Sequence, residues 1–325
     1  MTTEPRTAIV TLTANPSFDR TVALPGPLER GAVVRVEAMT SQAGGKGVNI
    51  SRAAVGAGLG TVAVLPALPD DPFVRELEVA GINCRPSRPA GDIRVNLTLT
   101  EPGGTTTKLN GPGAAVDAGH LWDLAETLVR SAAGGSWTVL AGSLPPGARI
   151  EFYADLVPRL RGVSRVAVDT SEGPLAALVD QLPEAAPDLL KPNAEELASI
   201  TGTDADQLET DPGVAAKAAR TLVDRGVGAV LATLGGRGAV LVDAEGAWYA
   251  PPPPTVVVST VGAGDCTLFG YLLAELRGLP PPDRLALAVA YGSAAAGLPG
   301  TTIPRPSDLH PERVEVHSLP LSESA

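Results

Sequence analysis

From Val116 onward, segments with apolar residues three and four positions apart alternate with short continuous apolar runs. Helix-like residues 121–132 precede a strand at 138–141, and 150–160 precede 165–169. Residues 175–182 lead to 188–191, and 214–225 lead to 229–234. That rhythm predicts a mostly parallel sheet with helices on both faces, its polar strand ends all at one edge. Upstream, residues 8–13 and 61–65 read as strands and 71–80 as a helix, while 50–59 is apolar nearly all round, as a buried helix is. A different β signal lies between them. Residues 93–100 alternate cleanly, turn at Pro102-Gly103-Gly104 and return through 105–109. Residues 20–38 hold two β-like pieces separated by Pro25-Gly26-Pro27 and Glu29-Arg30-Gly31. These two hairpins, at about 18–40 and 92–110, are expected to form a small sheet that covers the site and excludes water. Near the end, 238–242 and 247–250 suggest an antiparallel hairpin, the β-branched run 255–258 a strand, and 286–296 a final buried helix. The chain beyond His310 reads as a polar, mobile tail, so one domain over 1–312 with a tail at 313–325 is expected.

The glycines fall at the joints of this pattern. Ser259-Thr260-Val261-Gly262-Ala263-Gly264-Asp265 stands between the expected strand and a helix marked by Leu268, Phe269, Leu272, Leu273 and Leu276, with Gly278 and Pro280 as its stop. Unpaired N–H groups at a helix start favour an anion, and glycines let a phosphate oxygen approach the backbone. Asp265 is the carboxylate in that field. It could take a proton from an attacking hydroxyl, or merely complement the helix dipole. Ala43-Gly44-Gly45-Lys46-Gly47-Val48-Asn49 is a second glycine-rich turn into a helix; it fits neither a Walker A loop nor a dinucleotide fingerprint. Its amides with Lys46 and Asn49 would suit a polyol or a phosphate. Asp19, after Asn15-Pro16, is placed at a strand's carboxyl end, where α/β proteins bind ligands.

Composition narrows the class. A formal net charge of −11 argues against bulk nucleic-acid binding. Cys84 and Cys266 make no disulfide framework, so a reducing cytoplasm is the expected setting. Met1-Thr2-Thr3-Glu4-Pro5-Arg6 is no signal peptide, no apolar run spans a bilayer, and His120, His310 and His317 are too scattered for a zinc site.

Four motifs in fixed order, Asn-Pro-x-x-Asp, Gly-Gly-Lys-Gly-x-Asn, Lys-Pro-Asn-x-x-Glu and Gly-Ala-Gly-Asp, make the chain resemble the ribokinase-like (PfkB) sugar kinases. The likeness runs from Asn15 to Thr301 and is strongest to the branch containing 1-phosphofructokinase and tagatose-6-phosphate kinase. It implies an α/β, three-layer fold with a small β lid, and ATP and Mg²⁺ as partners in catalysis. By resemblance Asp265 is the base, with the Gly262, Ala263 and Gly264 amides as the anion hole. Asp19, Gly44, Gly45 and Asn49 would hold sugar hydroxyls, and Lys46, Arg94, Asn110 and Ser143 lie where relatives bind substrate. Arg94, and more weakly Arg35, would suit a substrate that already bears a phosphate. Lys191, Asn193, Thr233, Gly235 and Gly238 would serve the nucleotide phosphates, and Ala290, Gly292 and Ser293 its adenine. Asn193 and Glu196 would organise Mg²⁺ through water, although Asn-x-x-Glu at a helix start also describes capping. Three local departures stand out: Cys266 and Phe269 where small residues are usual, which could narrow the pocket floor; Ala67-Leu68-Pro69 for Gly-Gly; and Glu172 where Gly follows Ser.

The implied reaction is ATP-dependent phosphorylation of a ketohexose monophosphate, fructose 1-phosphate to fructose 1,6-bisphosphate. The alternatives are tagatose 6-phosphate or fructose 6-phosphate as acceptor, and a non-catalytic sugar-phosphate sensor. A nucleoside or ribose kinase would leave Arg94 and Lys46 no anion to meet. A dinucleotide-dependent oxidoreductase would need Gly-x-Gly-x-x-Gly where Asn15-Pro16 stands. Relatives also make a homodimer through the lid the expected assembly, with no nucleic acid or membrane partner.

Overall fold

The computed structural model describes residues 7–320, so the segment read as lacking a signal peptide lies outside the described residues, as does the end of the tail. Its centre is a ten-stranded sheet. Strand β1 (Thr7–Thr13) is third from one edge, with β4 (Gly60–Pro66) and β5 (Asn83–Ser87) beyond it on that side. On the other side come β8 (Trp137–Ala141), β9 (Arg165–Asp169), β10 (Leu189–Leu190) and β11 (Ala229–Thr233), all parallel. Beyond them β12 (Ala239–Asp243), β13 (Ala247–Ala250) and β14 (His317–Ser318) continue antiparallel. The order reverses at β1, which opens a crevice at the carboxyl ends of β1 and β8.

Side-chain alternation along these strands divides the core. Val10, Leu12, Val64, Leu140, Val168 and Val230 pack against the helices α3 (Ala118–Ala132), α4 (Phe152–Leu160), α5 (Glu172–Asp180) and α8 (Pro212–Asp224). Ile9, Val139, Ala167 and Leu231 face the opposite layer of α1 (Lys46–Gly56), α9 (Ala263–Leu276) and α10 (Pro281–Ala296). The short α2 (Pro72–Val79) covers β4 and β5, while α6 (Ala194–Thr201) and α7 (Ala205–Thr210) lie beside α8. Burial on both faces explains why these strands read as unbroken apolar runs.

The second, four-stranded sheet has the order β3 (Ala38–Gly44), β2 (Ser17–Ala23), β6 (Arg94–Thr100), β7 (Thr106–Asn110). The two expected hairpins are therefore one sheet, joined by the parallel β2–β6 pair. Phe18 anchors it to the body by an edge-on contact with Phe73, ring centroids 5.2 Å apart.

Several sequence expectations change. Asp19 sits within β2 and not in a turn, because Asn15-Pro16 passes directly from β1 into β2. The first hairpin's strands flank the 20–38 segment instead of filling it. Residues 255–258 form no strand: β14 already occupies the edge of β13, and the Val258 and Ser259 amides both donate to Ala296 O. Their β-branched side chains, with Val256 84% exposed, lack a ladder partner. The polar tail is also partly ordered, since Val314 is buried and His317 pairs with Tyr249. Helices α1 and α9 each begin earlier than their apolar stripes, at the glycine turns themselves.

Glu172, with φ of 53°, is the one non-glycine residue in the left-handed region among the described residues. It stands where the resemblance expects glycine, at the bend from β9 into α5, a conformation that costs an L-residue about 1–2 kcal/mol.

Helices α9 and α10 pack backbone to backbone. A Cβ on Gly270 would lie 2.7 Å from Leu287 O and 2.8 Å from Ala288 Cα, and neither can yield without moving a helix. Gly270→Ala is therefore expected to cost about 1–3 kcal/mol. The measurement is urea unfolding, with a lower midpoint at unchanged slope; an unshifted midpoint would contradict the close packing.

Candidate active site

A cleft of about 450 Å³ lies at the carboxyl edge of the parallel sheet, under the small sheet. One wall is the start of α9. Gly262 is its N-cap in a left-handed conformation, φ 80°, with no side chain capping the first turn. The Cys266 amide is bonded to Gly262 O at 2.9 Å, and Ala263 makes a long bond to Thr260 O at 3.4 Å. Among the described residues the Gly264 and Asp265 amides donate to no backbone acceptor. A helix start with open amides is an anion site.

Asp265 is buried in the first turn of α9 and accepts a hydrogen bond from Asn49 Nδ2 at 2.8 Å. Burial, followed by the nearby Asp169 charge, pushes its carboxyl up to about 6. Lys46, the Asn49 bond and Lys191 pull the other way without cancelling this. The result is a carboxylate ionised at neutral pH yet far more basic than an exposed one. Such a group can accept a proton from an alcohol held against it.

The charges around it are tied by Asp169, the last residue of β9 and wholly buried. Its Oδ1 lies 2.6 Å from Lys46 Nζ and its Oδ2 3.0 Å from Lys191 Nζ. Burial would raise the Asp169 carboxyl, but the Lys191 and Lys46 cations hold it below the usual range. Burial likewise opposes the Lys46 ammonium, and the Asp169 and Asp265 charges override it, raising its affinity for the proton. A Cβ on Gly264 would sit 3.6 Å from Lys191 Nζ, so this cation stands beside the open amides.

On the opposite wall, Asp19 Oδ1 accepts from Ser17 Oγ at 2.8 Å and Asn96 Nδ2 at 3.0 Å. Gly44 lies directly under Asp19 Oδ2, too close for any side chain. Gly45, φ 122°, is the N-cap of α1, and a Cβ there would lie 2.6 Å from Thr13 Cγ2. Arg94 is partly committed to the protein: Nε donates to Asn15 O at 3.2 Å and Nη1 to Gly111 O at 2.9 Å. Its Nη2 lies 3.5 Å from Ser143 Oγ, which leaves that edge of the guanidinium facing the cleft.

Of the residues expected from sequence, Asp19, Gly45, Lys46, Asn49, Arg94, Ser143, Lys191, Asn193, Glu196, Thr233, Gly262, Gly264 and Asp265 line this one cleft. Gly44 and Ala263 adjoin it through Asp19 and the helix start. The others stand outside its lining. Asn110 is exposed at the end of β7, Arg35 is exposed in the β2–β3 loop, and Gly235 and Gly238 shape the turn from β11 to β12. Gly292 admits Thr267 of α9 against α10, and Ala290 and Ser293 are buried in α10. Cys266 and Phe269 do not form the cleft floor. They point into the α1–α9–α10 layer, where Phe269 meets Tyr291 edge-on with centroids 5.1 Å apart.

Asn193 and Glu196 form a reciprocal capping box on α6, both bonds 2.8 Å long. This commits Asn193 Oδ1 and Glu196 Oε2 to the helix, while both residues still border the cleft. Among the described residues no group of three acidic, histidine or cysteine side chains could cage a metal. A single carboxylate facing the cleft fits Mg²⁺, which keeps several waters and is held largely by substrate phosphates.

Asp169 was read only as one of the polar strand ends at the ligand edge, and Asn96, Lys108, Thr13 and Thr301 were given no part, yet Asp169 bridges the two lysines and the others line the cleft. Two signals could have found the first pair. Asp169 ends a parallel strand, and Asn96 lies two residues from Arg94 and so shares its face of β6.

The model of the family described as pfkB family carbohydrate kinase matches residues 12–308 of this chain. A 1-phosphofructokinase from Rhodobacter capsulatus is 39% identical over 306 residues, covering 93% of this chain and 94% of its own. The crystal structure of phosphofructokinase-2 from Escherichia coli in complex with substrates and products superposes with a TM-score of 0.83 at 29% identity, over 93% of this chain and 96% of the other. The tetrameric inhibited form of phosphofructokinase-2 from Escherichia coli gives 0.80 at 29% identity, over 91% and 96%.

Replacing Asp169 tests how the charges are held. Asp169→Asn keeps the shape but leaves the buried Lys191 without its counter-charge, which is expected to cost about 3–5 kcal/mol. The check is the urea midpoint at neutral pH; a loss within about 0.5 kcal/mol, the range of an ordinary surface change, would show that the bridge is not structural.

Proposed function

The chain belongs to the pfkB family of carbohydrate kinases, and from that premise we propose that it transfers the terminal phosphoryl group of ATP to a ketohexose monophosphate, converting fructose 1-phosphate to fructose 1,6-bisphosphate. The observation that carries this reading is the buried Asp265, set at the open amides of α9 inside the same cleft as Arg94 and Asp19. Arg94 gives the cleft a cation for an acceptor that already bears a phosphate, and Asp19 an acceptor for sugar hydroxyls. Arg94 itself is pulled below its ordinary proton affinity by burial, partly offset by Asp19, yet an arginine stays charged.

In this mechanism the primary hydroxyl of the sugar lies against Asp265, which takes its proton as the new O–P bond forms. The bond from the transferring phosphorus to ADP breaks at the same time, and ADP leaves with that electron pair. The Gly264 and Asp265 amides and Lys191 meet the charge on the transferring group, in a setting where they need no reorientation. Lys46 stands on the acceptor side, held by Asp169. Mg²⁺, bound by the ATP phosphates and through water by Glu196, would neutralise phosphate charge. Thr233 supports the nucleotide side of the cleft.

A second acceptor, tagatose 6-phosphate or fructose 6-phosphate, is favoured by the likeness to phosphofructokinase-2, because the same cavity entered end for end still presents a primary hydroxyl to Asp265. A non-catalytic sensor would have no use for a desolvated base beside open amides.

The small sheet acts as a lid in this reading, with the domain running through 1–312. Its exposed Met39 (57%) and Leu109 (53%) support pairing between two lids in a homodimer. No helix among the described residues is long and apolar enough to cross a membrane, and Cys84 and Cys266 are buried and unpaired, which supports a reducing cytoplasm.

Four measurements test these assignments. Asp265→Asn is expected to lower kcat by about 10²–10⁴ while calorimetry shows ATP and sugar binding retained; turnover within a few-fold of wild type would remove the base. The base must be ionised, so kcat/KM for the wild type should fall as pH drops through about 6. A flat profile down to pH 4.5 would contradict a raised carboxyl. Arg94→Ala should raise KM for the sugar phosphate about tenfold or more and leave that for ATP within twofold. Coupled ADP release with fructose 1-phosphate, fructose 6-phosphate, tagatose 6-phosphate and ribose ranks the acceptors.

A further inference from the structure

The turn from β3 into α1 carries Gly44 and Gly45 in succession, and no side chain caps the helix it begins. Two glycines transmit little stiffness, so the place of Lys46 and Asn49 must be set by something outside the turn. The residue before it is gripped. Ala43 is wholly buried near the end of β3, an edge strand of the small sheet with no strand on its outer side. Its N–H donates to Glu76 Oε1 at 2.8 Å, and its C=O accepts from Arg52 Nη2 at 2.9 Å. The two side chains also meet each other, with Arg52 Nη2 lying 2.9 Å from the same Glu76 Oε1. One ion pair thus does for Ala43 what an adjacent strand would do, and leaves neither backbone group unpaired.

The pair comes from the body of the molecule, Arg52 from α1 and Glu76 from α2. Arg52 also stands on the helix that the turn begins, so its bond to Ala43 closes a ring of chain around Gly44, Gly45, Lys46 and Asn49. Packing alone gives no reason to keep an arginine here. Its side chain is 14% exposed and its Nε is buried with no partner, and an apolar chain of similar length would fill the place without that cost. We propose that Arg52 and Glu76 are a positioning pair for the transfer reaction: by gripping Ala43 they fix the start of α1, and with it Asn49 against Asp265 and Lys46 against Asp169. This rests on the kinase reading of the cleft. Neither residue lines the cleft, so each acts through the turn and not on a substrate.

The test compares the purified full chain with Arg52→Met, which keeps length and apolar packing, and with Glu76→Ala and Glu76→Gln. Amide hydrogen exchange reads the grip with no substrate present. In Arg52→Met and Glu76→Ala, residues 43–49 should exchange about tenfold faster or more, while β1 and β8 stay as protected as in the wild type. Turnover reads what the grip is for. With the ketohexose phosphate that the wild type prefers, kcat/KM should fall about tenfold or more in these two variants, and KM for ATP should stay within about twofold. Glu76→Gln keeps an oxygen for the Ala43 amide and should hold both exchange and turnover within about threefold of wild type. The pH profile separates positioning from general loosening. Asp265 is faced by Asp169, Lys46, Lys191 and Asn49, and a slackened α1 start withdraws the Lys46 charge and the Asn49 bond, both of which favour the ionised carboxylate. The acid limb of kcat/KM should therefore move above its wild-type place by about half a unit or more in Arg52→Met. The proposal is overturned if exchange at 43–49 is unchanged, if kcat/KM stays within about twofold, or if activity falls with the acid limb in place. It is likewise overturned if KM for ATP rises in step with that for the sugar phosphate. A wild type that phosphorylates none of fructose 1-phosphate, fructose 6-phosphate and tagatose 6-phosphate would overturn the kinase reading, and the positioning role with it, before any variant is compared.

Discussion

A wholly buried carboxylate shared between two ammonium groups is the interaction on which the cleft depends. Asp169 draws Lys46 from the start of α1 and Lys191 from the end of β10 to one point, although these stand far apart along the chain. Neither lysine could be held at the bottom of the cleft without it, since burial works against both charge and position. The three charges sum to a local positive excess beside the open amides of α9. That excess suits a site through which phosphate groups pass, and it keeps the neighbouring Asp265 from being driven fully neutral by its own burial.

Around this point the molecule uses its two sheets differently. The large sheet is buried on both faces, so its strand ends are fixed by packing and present Asp169, Lys191 and Gly142 rigidly. The small sheet is half-buried along its central strands, and it projects Asp19, Arg94, Asn96 and Lys108 toward the cleft by simple alternation. Glycine is required where the two halves touch. Gly44 and Gly45 are thin because Asp19 and Thr13 lie against them, which brings a carboxylate from one sheet within reach of the helix start from the other.

Much of this was legible in the chain. The apolar runs of the parallel strands and the stripes of α3, α8 and α10 identified the layers, because two-sided burial leaves an unambiguous mark. Asn49, Lys46 and Asp265 were legible because glycine turns at helix starts are chemically specific, and the family resemblance joined them. What failed did so for local physical reasons. Residues 255–258 have the composition of a strand, but strand formation needs a partner edge, and composition does not report whether that edge is taken. His317 and Ser318 look like a polar tail because a two-residue edge strand has no period to detect. Asp169 was visible as a strand end, but its part depends on two lysines that only the fold brings together. Asn96 was hidden by its strand: in an alternating segment an inward polar residue looks like one more exposed position.

On the proposed reading, part of the sugar side of the cleft is carried by β2 and β6, apart from the α9 turn that holds Asp265, and that separation has an evolutionary consequence. Some mutations that would retune the accepted carbohydrate then fall on these two strands, clear of the helix start that would meet the phosphate donor. A lineage can therefore drift from one sugar to the next by recoding a pair of strands, while selection holds the donor half nearly still.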